Sequence, residues 1–424
     1  MSEQIKPQSL PARIDAANDT VLGIFKASRP IWFDVRPALQ ALPGMTKRHI
    51  LHAGPPIALE RMCPPQRNGI LYAAVFEGLA ASPGQAAKAV AAGDILIGPC
   101  HDIGAVGGMA GITSASTPLV MVRDEASGSV GCSQLFQGPR GQLPSRDAYD
   151  QAAMQQWRWL ADVLGPVLQA AIRRKGGLEV KPLIAKALQM GDECHNRNNA
   201  ASALLLNAIA PSIVDCGLPD AVVRDSLRYL VSAEQFALCL AMATAKAITD
   251  AANPTAHASL VTAMARNGVD FGIKVAGLGD QWFTAPANPV EGLLFSAEWS
   301  QEDVVPDMGD SAIMETFGLG GHVQAAAPAL QQFVNGSFNR AVRISSEMRQ
   351  ITAGSLPDYP IPNLDFAPAP AGIDIRKVVK TGITPMIDTA IAHKKGGVVG
   401  AGQVAAPLDC FKAALRAFSQ RYAP

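Results

Sequence analysis

The chain has 424 residues, enough for two or three domains with a large buried core. Hydrophobic residues make up 48% and charged residues 17%, which excludes an intrinsically disordered chain. Lysine plus arginine (36) equals aspartate plus glutamate (36), so no broad basic face and no nucleic-acid partner is expected. The low charge points instead to a surface partly covered in an oligomer or a complex. The first nine residues are polar, and no run of about 18 apolar residues follows, so neither a secretory signal nor a membrane span is expected. Seven scattered cysteines without a CxxC pair fit reduced thiols and a cytoplasmic location.

In chain order, residues 1–20 read as a leading arm and 18–26 as short and mixed. Residues 31–35 read as a strand, 37–42 as a short helix or turn, and 51–56 as a break. Residues 70–79 are helix-like. Ser82-Pro83 caps a helix over 86–91, which Gly93 ends. Residues 94–98 form a short buried strand that runs into the glycine-rich loop 98–114. Residues 118–122 and 129–136 pair as strands around a Ser127-Gly128 turn. From 147 the pattern turns helical: 148–171, 182–190, 201–209, 221–252 and 257–266 read as helices. Residues 269–279 are a strand with a glycine-rich exit, 282–292 an ordered loop, and 309–322 a third glycine-rich polar stretch. Residues 328–333 read as helix and 357–370 as a proline-rich linker or wrap. Residues 378–384 read as a strand, 386–393 as mixed, and 408–421 as a closing helix. The expected fold is multidomain α/β (α+β), with two glycine-rich α/β regions flanking a mainly helical domain. The expected boundaries are 1–146, 147–266 and 267–424.

The densest chemistry is Asp192-Glu193-Cys194-His195-Asn196-Arg197-Asn198-Asn199, set between two apolar, helix-prone segments. Asn198 or Asn199 is placed to cap the following helix. The free N–H groups of its first turn would favour an anion. Arg197 suits a planar carboxylate or a phosphate. His195 is the candidate acid/base, with Glu193 and Asp192 beside it. Asn196 and Asn199 are candidate donors to a carbonyl or carboxylate. The bland reading is a buried polar network tying two helices together.

In the 98–114 loop, Gly107, Gly108 and Gly111 let backbone N–H groups approach an anion, and His101 and Asp102 are placed to orient a substrate amide. Tight packing alone is the competing reading. No Walker or dinucleotide pattern and no G-x-S-x-G elbow is present. Asp310 and Glu315 are further candidates for contacting substrate. With Glu291 they lack a compact ligand spacing, so no metal is expected, and no cofactor. Cys216, Cys239 and Cys410 read as core thiols.

Three stretches carry a family resemblance: Gly191-Asp192-Glu193-x-His195-Asn196-Arg197-Asn198-x-Ala200; Gly98-Pro99-Cys100-His101 with Gly107 to Gly111; and Gly309-Asp310 with Glu315-x-x-Gly318-x-Gly320. Together they resemble a large-subunit family formerly of unknown function. Some of its members are assigned as the G subunit of oxamate carbamoyltransferase in allantoin catabolism. The resemblance spans nearly the whole chain. It implies conversion of oxalurate and phosphate to oxamate and carbamoyl phosphate. The implied partners are a succinyl-CoA synthetase-like subunit and a smaller third chain, and the implied architecture is α/β domains joined to a helical domain. Positions 194 and 199 vary within the resemblance, which makes Cys194 a poor nucleophile candidate. Two other readings stay open: a standalone amidohydrolase or ureide-processing enzyme acting on a small amide acid, and a non-catalytic scaffold subunit.

Overall fold

The computed structural model describes residues 9–135 and 151–423. The expected boundary at 146/147 and the expected onset of the helical stretch there lie outside the described residues. The architecture is α/β, with mixed sheets and long helical stretches.

The first sheet has five strands in the order Ala105–Val106, Val130–Gln134, Pro118–Asp124, Pro30–Pro37, Leu178–Glu179. The hairpin around Ser127-Gly128 lies at its heart and is antiparallel. Helix Ala237–Ala252 packs on this sheet and is buried along almost its whole length. The approach is very close. A Cβ on Gly131 would lie 2.2 Å from Ala243 O and 2.4 Å from Ala247 N. Much of the largest apolar core gathers around this helix and its neighbours.

A four-stranded sheet runs Phe283–Pro286, Asp270–Val275, Val261–Asn267, Met308–Gly309. A three-stranded sheet runs Glu291–Leu294, Val398–Ala405, Met386–Ala392. The closing helix Leu408–Tyr422 packs beside the four-stranded sheet over a second core.

Several elements depart from the sequence reading. Residues 257–266 are not a helix: the chain makes a turn with His257 at φ 67° and then forms strand Val261–Asn267. All seven residues of that strand are buried, so no polar face marks it as a strand. Residues 378–384 are not a strand. They overlap helix Ile375–Thr381, which Asp374 caps through Arg376 N (2.9 Å). The leading arm is a full helix, Leu10–Ala27, capped by Ser9. The proline-rich stretch is ordered rather than a linker, as part of a β-ribbon, Thr352–Ile361 against Ala367–Ile373. Residues 386–393, read as mixed, hold strand Met386–Ala392. Residues 221–252 are two helices, Asp220–Ser232 and Ala237–Ala252, meeting at an 80° bend. Among the described residues no single helix is long and apolar enough to cross a membrane.

Candidate active site

Helix Lys181–Gln189 ends at Met190, and the chain turns through Gly191 (φ 99°) and Cys194 (φ 65°) before helix Asn199–Val214 begins. Glu193 closes this loop from inside. Its carboxylate accepts from the N–H groups of His195, Asn196 (2.5 Å) and Arg197 (3.1 Å). Burial and the nearby Asp388 push the Glu193 carboxyl well above its ordinary range, against those three donors. Burial also pushes the Cys194 thiol well up, so it is no thiolate nucleophile.

Asp192 is turned the other way. Its Oδ2 accepts from Ala201 N (2.8 Å), at the start of helix Asn199–Val214. The expected cap by Asn198 or Asn199 is therefore replaced. Asn198 occupies the N-cap position, but its side chain donates to His195 O (2.9 Å) and Gln235 Oε1 (2.8 Å). Asn199 donates to Glu234 (2.8 Å). The anion expected at this helix terminus is thus an internal carboxylate. Burial raises Asp192 to about 6, opposed by its backbone donors and by Arg197. The Arg197 side chain stays 39% exposed, with Nε 3.5 Å from Asp192 Oδ1, so its guanidinium remains accessible to solvent.

His195 is only 4% exposed, and its Nδ1 faces both oxygens of Glu315, at 2.7 and 2.9 Å. Glu315 also accepts from Gly321 N (2.9 Å) and Asp388 N (3.2 Å). Burial alone would raise Glu315; His195 and the Gly321 N–H bring it below the ordinary carboxylate value. With the Nδ1 proton on Glu315, Nε2 is the basic nitrogen, and no described residue hydrogen-bonds it. Gly320 leaves room for the pair: a Cβ there would lie 2.1 Å from Glu315 Oε1 and 3.1 Å from His195 Cβ. Behind them, Asp388 is buried and held by the amides of Gln324 and Gln403 (3.0 Å to Gln403). Burial, with Glu315 next to it, raises Asp388 to about 8.

Asp310 anchors a second group. It accepts from Gly54 N (2.7 Å) and Gly107 N (2.8 Å), and burial raises it to about 7. His101 Nε2 lies 3.8 Å from Asp310 Oδ1. Burial, with the ammonium groups of Lys246 and Lys274, holds His101 well below its ordinary value, in the neutral form. Asp102 points outward, to Lys274 Nζ (2.7 Å) and Trp282 Nε1 (3.0 Å).

Arg266 joins the two groups. It is fully buried and donates to Asp307 (2.8 Å), Gly309 O (2.7 Å), Ser311 Oγ (3.3 Å) and Thr389 Oγ1 (3.0 Å). It thereby ties the 309–311 turn to the strand that carries Asp388. Asn196 Nδ2 reaches Thr389 O (3.4 Å) from the other side. A separate small apolar hollow, lined by Phe76, Ile112, Trp157 and Leu160 among others, is touched by none of these residues.

The profile of the family described as oxamate carbamoyltransferase subunit AllG matches residues 95–311. The chain is 43% identical over 409 residues to the oxamate carbamoyltransferase subunit AllG of Escherichia coli K12, covering 95% of this chain and 97% of that one. The chain belongs to the AllG family. It is also 41% identical over 422 residues to the E. coli K12 protein YahG, whose function is uncharacterised, covering 99% of this chain and 89% of that one. A crystal structure of a conserved protein of unknown function from Enterococcus faecalis V583 superimposes with a TM-score of 0.94 at 40% identity, covering 98% of this chain and all of that one.

In this AllG-family chain the fold brings together His195, Glu193 and Glu315, and separately His101, Gly107 and Asp310. It sends Asp192 to a helix terminus, and Asn199 and Asp102 to exposed contacts. The sequence reading did not single out Arg266, Asp388, Gln403 or Lys246. None lies in a dense polar run of the kind seen at 192–199, and only its burial as a polar group would have flagged it.

Proposed function

We propose that the chain is the subunit of a carbamoyltransferase that carries the acid/base step in moving a carbamoyl group from oxalurate to phosphate, giving oxamate and carbamoyl phosphate. The observation that carries this reading is the buried His195–Glu315 pair, with imidazole Nε2 left without a hydrogen-bond partner among the described residues. Hydrogen phosphate attacks the carbamoyl carbon as its O–H proton passes to His195 Nε2. The bond from that carbon to the bridging nitrogen then breaks, and the same proton passes to that nitrogen, so oxamate leaves as a neutral amide with its carboxylate. One proton, one C–O bond formed and one C–N bond broken balance the reaction. Glu315 stabilises the imidazolium formed between the two transfers. Arg197, with its guanidinium partly in solvent, is suited to the oxalurate carboxylate.

As partners we propose those implied by the sequence resemblance, a succinyl-CoA synthetase-like subunit and a smaller third chain; a relative described as a carbamoyltransferase subunit is consistent with such a complex. The test is reconstitution of the complex with H195A and, separately, R197A. We expect H195A to lose kcat by about 10²- to 10⁴-fold at unchanged Tm. We expect R197A to raise the KM for oxalurate at least tenfold with a smaller effect on kcat. Full activity of a folded H195A complex rejects the proposed role. Turnover without phosphate would make the enzyme a hydrolase instead.

A further inference from the structure

We infer that the glycine loop 108–111, together with His101, is a subsite for a phosphate-class oxyanion. Its assigned role as the seat of the second substrate rests on the transferase reading above. The binding itself does not.

Among the described residues, the N–H groups of Gly108, Met109, Ala110 and Gly111 donate no hydrogen bond. Ala110 is 2% exposed and Gly111 is buried, and buried backbone donors are nearly always met by an acceptor. Ala110 (φ 61°) and Gly111 (φ 45°) both have positive φ, so the loop is a tight turn whose N–H groups enter no helix or strand ladder. The second observation is His101. Its side chain is 1% exposed, and neither Nδ1 nor Nε2 has a hydrogen-bond partner. Its ring stacks edge-on to Trp282 at 5.7 Å and faces Asp310, whose other oxygen holds Gly107 N at the start of the loop. The neutral ring keeps one N–H with no acceptor. An oxyanion would supply acceptors for this donor and for the loop.

The charges around His101 are mixed, and its cations are paired: Lys246 Nζ lies 2.7 Å from Asp250, and Lys274 Nζ lies 2.7 Å from Asp102 and 3.8 Å from Asp280. Lys246 donates to His101 O (2.8 Å), and Lys274 lies on the far side with Asp102 and Trp282. Asp310 is the acidic group beside the loop, and each of its oxygens is already engaged by a backbone N–H. The glycines divide by function. A Cβ on Gly107 would lie 2.6 Å from Gly111 Cα, and one on Gly111 would lie 2.7 Å from Ala53 Cβ, so packing accounts for both. A Cβ on Gly108 would meet nothing within 4 Å. Open space next to unpaired donors is what a ligand needs.

The experiment uses the full chain labelled with ¹⁵N-glycine and ¹⁵N-methionine. Inorganic phosphate and oxamate are titrated separately at constant ionic strength. We expect phosphate to shift the Gly108, Met109 and Gly111 amide signals saturably. G108A, whose methyl group fits the free protein, should raise the phosphate Kd at least tenfold at unchanged Tm. No saturable shift with phosphate, shifts with oxamate only, or full phosphate affinity in G108A would each overturn the inference. The readout is independent of turnover. Turnover without phosphate by a complex whose loop binds phosphate would sink the transferase reading alone, and phosphate-dependent turnover with a silent loop would sink this inference alone.

Discussion

Among the described residues the His195 ring is hydrogen-bonded through Nδ1 alone, and both Glu315 oxygens converge on that atom. This is costly to build, because a buried carboxylate needs several donors. Glu315 finds them in His195, Gly321 N and Asp388 N. E315Q keeps the shape and can leave its carbonyl oxygen at the Oε1 position, where all three donors meet. It removes the negative charge that an imidazolium at His195 requires. We expect kcat of the reconstituted complex to fall about 10²- to 10⁴-fold, with KM for oxalurate nearly unchanged and Tm within a few degrees. Steady-state kinetics beside R197A gives the contrast, one variant failing in kcat and the other in KM. If E315Q turns over normally, His195 does not gather charge during the reaction.

At the scale of elements, the site loop is held between two helices whose ends depend on polar side chains. Asp192 caps helix Asn199–Val214 through Ala201 N from nine residues upstream. D192A should cost about 0.5–2 kcal/mol in urea unfolding, the usual range for a lost cap. A larger loss of phosphate or oxalurate affinity than of stability would mean that Asp192 also acts on substrate. The close seat of helix Ala237–Ala252 on its sheet gives a harsher test. G131A would drive a methyl into backbone atoms of Ala243 and Ala247, so only a shift of the whole helix could accept it. We expect at least ~3 kcal/mol of destabilisation or failure to fold. G108A, where the space is open, should unfold like the wild type. These elements also show what the sequence could reveal. The Ser82 cap, the hairpin at Ser127-Gly128 and the amphipathic closing helix are local signals and were legible. Strand Val261–Asn267 was not, because it is buried on both faces and its Ala and Met residues suit a helix equally well. The polar run at 192–199 marked the site, since so many polar groups beside apolar helices demand partners. The partners themselves are remote in sequence. Glu315 meets His195 across 120 residues, and Thr389 meets Arg266 across 123, distances over which no local pattern reaches.

For the whole molecule, the buried acids set how stability responds to pH. Asp192, Asp310 and Asp388 sit at about 6, 7 and 8, each raised first by burial, and Glu193 is raised in the same sense. Their values in the unfolded chain are near 4. Between about pH 4 and pH 8 the unfolded chain has therefore released protons that the native protein still holds. The native state binds more protons over that window, so stability falls as pH rises through it and levels off above about 8. Glu315 and Asp34 act with the opposite sign. Both are lowered in the fold, so their contribution is present above the ordinary carboxylate range and is lost as pH drops through their lowered values. The buried neutral rings of His52 and His322, lowered to about 4, and of His101 also oppose the acids below about pH 6.5, where the unfolded chain takes up protons that these rings refuse, so Tm should change little in mild acid and fall between about pH 6.5 and 8. Asp388 is the group to remove, because it is raised to about 8 and its neighbours can adapt. In D388N the new amide faces Gln403, whose own amide can flip; its Oε1 is buried without a partner and could accept from the asparagine. Thermal melts of wild type and D388N from pH 4 to 9 should then diverge steadily from about pH 4 to about pH 8, the wild type losing more stability with each pH unit than D388N. Above about pH 8 the two curves should run parallel. A wild-type Tm that rises steadily to pH 8 would mean that these carboxyls are ionised in the folded protein, with a cation or a partner chain supplying the compensating charge.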